Sequence, residues 1–144
     1  MKRAGFTMIE LIFVIVILGI LAAVAIPKLA ATRDDANIAK AATDVATAIQ
    51  DMGAYYTAQD QFGDVSDMTN VKLSGDGNLT TAPSYQVNGV DCVDFNTTAE
   101  ALADGNISVS FPASGNALCT KVQAMLASKD INKTHSFGGQ KVSW

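Results

Sequence analysis

The chain has 144 residues, a formal net charge of −4 and a single histidine. That length suits one domain of ordinary size, and the acidic balance, with no run of Lys or Arg beyond the first three residues, leaves no electrostatic footprint for nucleic acid. Apolar residues make up 49% of the chain but crowd into residues 6–31, and the about 110 residues that follow form a polar, Ala- and Asp-rich head with enough chain for one modest core.

The chain opens MKRAGFTMIELIFVIVILGILAAVAIP. Leu11 to Pro27 carries no charge, and as a helix it would span about 26 Å, slightly less than a hydrocarbon core. Extending the stretch back to Phe6 brings in Glu10. A charge at the centre of a membrane helix costs roughly 2.5–3.5 kcal/mol on insertion scales, so even near the end of the segment this acid calls for a partner. Lys2 and Arg3 precede the run, which keeps the N-terminus in the cytoplasm and exports the head. Ala22-Ala23-Val24-Ala25 has the small residues of a secretory cleavage site, but the helical pattern runs on past it, so the apolar segment is expected to be retained.

Residues 28–58 read as an amphipathic, Ala-rich helix. Ile38, Ala42, Val45, Ile49, Met52 and Tyr56 fall at alternating steps of four and three, one helical face. Residues 28–37, with Lys28, Arg33, Asp34 and Asp35, lack a wide stripe and read as a neck. A helix from Phe6 to about Ala58 would be about 80 Å long, more than a small head can cover, so roughly half of it must meet lipid or other chains. Gly19 and Pro27 are its expected weak points, as kinks or places of local melting.

Residues 60–84, rich in Asp, Ser, Thr, Asn and Gly, read as a long surface connection. Three strand-like stretches follow: Tyr85–Phe95, Ile107–Phe111 with strict alternation after the Asp104-Gly105-Asn106 turn, and Thr134–Trp144, where Gly138-Gly139 marks a bulge or turn. Ala117–Ser128 reads as a short helix. The expected fold class is α+β, one long helix packed on a small antiparallel sheet, with the sequence divided into 1–5, 6–27, 28–58 and a globular head at 59–144. The two cysteines, Cys92 and Cys119, both lie in the head; in an exported head they are expected to pair, the alternative being two buried free thiols.

The run from Lys2 to Ile12, with a basic leader, Gly5, Phe6, Thr7, a hydrophobic pair and Glu10 ahead of an apolar helix, resembles the N-terminus of type IV pilins and of the pseudopilins of type II secretion and DNA uptake. The resemblance is firm over residues 1–58 and general beyond. It implies a type IV pilin-like fold, cleavage after Gly5 by a membrane-embedded prepilin peptidase, and N-methylation of Phe6. It implies that Glu10, fifth residue of the processed chain, offers its carboxylate to the amino terminus of a neighbouring subunit. It further implies unwinding between Gly19 and Pro27 in a helical homo-oligomeric filament, an inner-membrane platform with its ATPase as partners, and an inner-membrane location before assembly into an extracellular pilus or periplasmic pseudopilus. Major secretion pseudopilins usually carry an Asp-Pro-Trp-Gly stretch that is missing here, where the one Trp is Trp144. The pilin branch is therefore favoured, with a pseudopilin or a ligand-binding minor tip pilin as alternatives; nucleic acid enters only through a DNA-uptake role.

Four sequons, at Asn78, Asn96, Asn106 and Asn132, each have an Asp two positions earlier: Asp76, Asp94, Asp104 and Asp130. The pattern resembles the extended acceptor sequence of bacterial N-oligosaccharyltransferases, although Asp-Gly-Asn is also ordinary turn chemistry. No metal or cofactor is expected. His135 has no second ligand at metal spacing, and Asp60, Asp64 and Asp67 match no calcium-loop pattern. No nucleophile, base and acid constellation appears, so no enzyme activity is expected.

Overall fold

The computed structural model describes residues 5–75 and 77–139; Lys2, Arg3, Asp76 and the end of the chain from Gln140 to Trp144 lie outside the described residues. The chain divides between Ala36 and Asn37 into two units. Helix α1, Met8–Gln59, begins in the first and ends in the second. The second unit continues with α2 (Val65–Met68), a 3-10 turn (Leu79–Thr81), β1 (Ser84–Val87), β2 (Val90–Asn96), α3 (Ala99–Ala103), β3 (Asn106–Ser110), α4 (Ala117–Ser128) and β4 (Thr134–Ser136). The four strands form one antiparallel sheet in the order β1-β2-β3-β4. The fold is α+β, a long N-terminal helix with a small antiparallel sheet.

Within the second unit the stripe legible in the sequence is the stripe that is buried. Ile38, Ala42, Val45, Ile49, Met52 and Tyr56 are all buried, joined by Ala41, Ala48 and Gly53 on the same face. Ile38, Ala41, Ala42, Val45, Ala48, Ile49 and Met52 share one core with Val93 and Phe95 of β2, Ile107 and Val109 of β3, and Leu118, Val122 and Leu126 of α4. Helix α4 runs over the residues its pattern marks, and Asn116 caps it by accepting from the backbone N–H groups of Leu118 and Cys119.

Gly53 sits in the middle of a helix, where Gly costs about 1 kcal/mol relative to Ala. Packing explains it: a Cβ there would stand 2.5 Å from the ring of Phe137. That ring also meets Phe62 edge-on, and Phe62 stacks on Tyr56 with centroids 4.7 Å apart. Gly53→Ala is therefore expected to destabilise the protein by about 1–2 kcal/mol despite its better helix propensity. In a Phe137→Ala background the same change should become stabilising. Denaturant midpoints of the four proteins in this cycle check the reversal.

Three expectations are corrected. Tyr85–Phe95 is not one strand but the hairpin β1–β2, turned at Asn88 and Gly89, which have φ of 53° and 78°. Two consecutive positive φ values are what a two-residue type I′ turn needs, and Asn-Gly is the pair that supplies them. Residues 60–84 are not a free surface connection. Val65, Met68, Leu79 and Pro83 are buried in the head, and Ser74 forms a bridge with Ser84 at the outer side of β1. Two hydrogen bonds tie this region and β1 to α1: Thr69 Oγ1 donates to Asp51 and Tyr85 Oη to Asp44, each at 2.7 Å. The last stretch holds only three strand residues, Thr134–Ser136, before Phe137 turns its ring onto α1; residues 140–144 fall outside the described residues. Helix α3, which the sequence reading omits, is one short turn capped by the Thr98 hydroxyl.

Burial, then the hydrogen bond to Asp44 and that carboxylate's charge, push the Tyr85 phenol above its usual value of 10.0. A folded-state pKa raised above the unfolded one means stability is fully present below about pH 10 and is lost as pH rises beyond it. Ultraviolet titration should show the Tyr85 phenol resisting ionisation until the head unfolds. Tyr85→Phe should abolish that delayed step.

Candidate assembly site

The N-terminal segment is built from α1 and the residues that start it. Thr7 and Glu10 close a reciprocal cap. The Thr7 backbone N–H and hydroxyl donate to Glu10 Oε2 at 2.9 and 2.7 Å, and the Glu10 N–H donates back to Thr7 Oγ1 at 3.3 Å. This is the Thr-x-x-Glu capping box, which satisfies N–H groups that a helix start otherwise leaves unpaired. The signature is present in the sequence as Thr7-Met8-Ile9-Glu10 and gives Glu10 a role within its own chain that the intersubunit expectation leaves out. Chemically it gives the carboxylate two donors of its own chain at the point where an apolar environment would be least hospitable to it.

Around this acid the surface is apolar and open. Phe6 is 91% exposed, and Met8, Ile9, Leu11 and the large hydrophobic residues onward to Leu29 are exposed with it. The helix contains a window long and apolar enough to cross a membrane, judged by length and composition. Gly5 has no neighbour within 4 Å of where a Cβ would stand. The helix passes through Gly19 and Pro27 without interruption. Pro27 supplies no N–H, so the Ala23 carbonyl lacks its helical donor there.

In the head, Cys92 and Cys119 form a disulfide with Cα atoms 5.4 Å apart, within the usual range, and both are fully buried. A β-bulge makes the reach workable. Tyr85 pairs with Val93 and Gln86 with Asp91, so Cys92 is the extra residue of β2. It therefore turns inward together with Val93 instead of alternating outward, and meets α4. The Gln123 side-chain amide reinforces the junction by donating to the carbonyls of Cys92 and Pro112, both at 2.9 Å. The sequon asparagines Asn78, Asn96 and Asn132 are exposed and Asn106 is half-buried. Among the described residues no group of three or more His, Cys, Asp or Glu side chains is placed to hold a metal ion.

Comparison with known proteins bears on the same segment. The family described as the prokaryotic N-terminal methylation motif matches residues 1–26. The chain is 46% identical over 44 residues to a protein named type II secretion system core protein G from Vibrio cholerae, a match covering 31% of this chain and 30% of that protein. It is 38% identical over 85 residues to a protein named type IV narrow pilus major component PilA5 from Thermus thermophilus, covering 59% of this chain and 71% of that one. No solved structure matches significantly. The methylation motif, the capped acid at the head of an exposed apolar helix, and the extent of the likeness to a pilus component together place this chain in the family of type IV pilins and type II secretion pseudopilins.

Proposed function

We propose that the chain is the precursor of a structural subunit of a type IV pilus-like filament. In this reading the leader is cut after Gly5, Phe6 is N-methylated, and the apolar half of α1 holds the subunit in the inner membrane with the head outside the cytoplasm. A platform protein and its ATPase then draw subunits into a helical filament, where the apolar helices pack on one another. Glu10 pairs with the amino terminus of a neighbour during docking, and the helix between Gly19 and Pro27 can give way. The role is structural rather than catalytic. Losing Lys2 and Arg3 with the leader takes the net charge from −4 to −6.

The observation that carries this reading is the unbroken exposure of apolar side chains from Phe6 to Leu29 in a regular helix. Such a surface requires lipid or other copies of itself, and a processed subunit uses each in turn. One observation favours a pilus over a pseudopilus. The 85-residue likeness to the pilus component is longer than everything up to the end of α1, so it must take in part of the head.

The test is N-terminal and intact mass analysis of material sheared from the cell surface. An abundant chain starting at methylated Phe6 is the expected result. A processed chain confined to the membrane fraction would overturn the pilus reading in favour of a pseudopilin or a minor tip subunit. Gly5→Leu should leave the leader attached, visible as a slower band on a gel; normal processing of that variant would refute the assigned cleavage site.

A further inference from the structure

The sequon asparagines differ from the others in the chain. Each has an Asp two residues before it, whereas among Asn37, Asn70, Asn88 and Asn116 only Asn37 has an acid there. An acid, an Asn and a hydroxyl residue at steps of two share the period of a strand, so in extended chain all three emerge on one face. In β2 this arrangement is realised. Asn96 is exposed and Asp94, on the same side of the strand, is half-buried with Oδ1 accepting from the Ser84 hydroxyl at 2.6 Å, while Phe95 between them is fully buried and Thr98 follows in extended conformation with φ −87° and ψ 159°. The register extends the pattern across the sheet. Asn96 lies opposite Ser108, Ser108 opposite Thr134, and Asn106 opposite Ser136. Residues directly opposite share a face, so the acceptors Asn96 and Asn106 and the sequon hydroxyls of Ser108 and Thr134 stand together on the outward side of the sheet.

We propose that the head carries N-linked glycans, two of them, at Asn96 and Asn106, on this outward face. Asn78, Asn96, Asn106 and Asn132 are acceptors for a membrane-bound oligosaccharyltransferase of the class that reads an acid two residues before the Asn. The co-substrate is a lipid-pyrophosphate-linked oligosaccharide. The Asn Nδ2 attacks the anomeric carbon; a C–N bond forms as the C–O bond to the pyrophosphate breaks. The lipid pyrophosphate leaves with the electron pair, Nδ2 gives up one proton to a base of the transferase, and nothing is oxidised or reduced.

The geometry also sets an order. Asn106 is locked into the β3 ladder with Oδ1 accepting from the Ser136 hydroxyl, and the hydroxyl of its own sequon, Ser108 Oγ, is bonded to Thr134 Oγ1 at 2.8 Å. A transferase that must grasp the Asn106 sequon reaches it before β3 and β4 pair. Asn78 lies off the sheet and exposed, with Oδ1 accepting from both the N–H and the hydroxyl of Thr80 at 3.0 Å. No strand has to open for its modification.

The inference rests on the export of the head proposed above, not on filament formation. Full-length protein is recovered from the cytoplasmic, membrane and sheared surface fractions of producing cells, and its peptides are weighed. The same sugar mass is expected at all four sites. Asp130, exposed and 2.6 Å from Lys133 at the surface, can be removed without touching the core, so Asp130→Ala should strip the sugar from Asn132 alone. Unmodified protein refolded in detergent, then offered lipid-linked oligosaccharide and membranes of the producing cells, should gain sugar at Asn78 and not at Asn106. Bare peptides at every site in exported protein would overturn the glycans and leave the filament reading standing. Sugar persisting at Asn132 in the Asp130→Ala protein would overturn the acceptor rule. Transfer to Asn106 in the folded chain would overturn the order. A chain confined to the cytoplasm would overturn the export on which all of this depends.

Discussion

Glu10→Ala cells should make the protein, process it and keep it in the membrane, while sheared filament falls at least roughly tenfold, the equivalent of about 1.4 kcal/mol per docking step. The head should melt at an unchanged temperature, because its core begins at Ile38. A bare carboxylate among lipid tails is costly, and the capping box with Thr7 offsets part of that cost within one subunit. What the cap leaves is a net negative charge, which a positive group from a neighbour would balance. Cleavage after Gly5 would create such a group at Phe6, so docking one subunit beside another would match the two. Glu10→Gln separates the roles. An amide oxygen can still accept from the Thr7 N–H, so the helix start survives, but the charge is gone. Filament loss in both variants supports pairing with a neighbour's amino terminus. Filaments restored by Gln would show that the cap is what matters and would refute the assigned partner.

The second large effect is expected in the head. Replacing both Cys92 and Cys119 by Ala should lower stability by about 3–4 kcal/mol, the chain-entropy value for a cross-link of this span. In a domain of ordinary stability that is a large fraction of the total, and it should appear as a drop in melting temperature of roughly 10–25 °C. The measurement is thermal unfolding of the full chain in detergent, oxidised against the double variant. Because both sulfurs are fully buried, a reductant should reach them only through an opening of the head. The rate of reduction should therefore track global unfolding. A loss under about 1 kcal/mol would show that the bulge and the Gln123 contacts hold β2 to α4 without the bond.

What could be read in advance follows from the range of the interactions involved. The α1 stripe, α4 and β3 are legible because each is specified by its own period: Ile38 to Tyr56 at steps of four and three, Leu118, Val122, Met125 and Leu126 on one side, of which only Met125 stays exposed, and Ile107 and Val109 in alternation. The N-terminal motif is legible because Gly5, Phe6, Thr7 and Glu10 fall within six consecutive residues. The Asn88-Gly89 turn is equally local, an Asn-Gly pair inside the strand-like stretch Tyr85–Phe95 that divides it into two strands. Residues 60–84 could not be read by period. Val65, Met68 and Leu79 are isolated apolar points in polar sequence, and their burial depends on a surface that α1 and the sheet supply together. The inward turn of Cys92 was hidden for a related reason, since a bulge is a property of the pairing with β1 and not of β2 alone.

The bridge between Ser74 and Ser84 has a consequence for crowding. Membrane-held subunits awaiting assembly would stand at high local density, where an open row of strand N–H and C=O groups invites one sheet to extend another and aggregate. Here Ser74 exchanges both backbone hydrogen bonds with Ser84, at 2.7 and 3.2 Å, closing the start of the β1 margin. The opposite margin belongs to β4, which is only three residues long. Neither side offers a long flat template, so contacts between heads are left to side chains, and the backbone-driven route to an irreversible clump is largely shut.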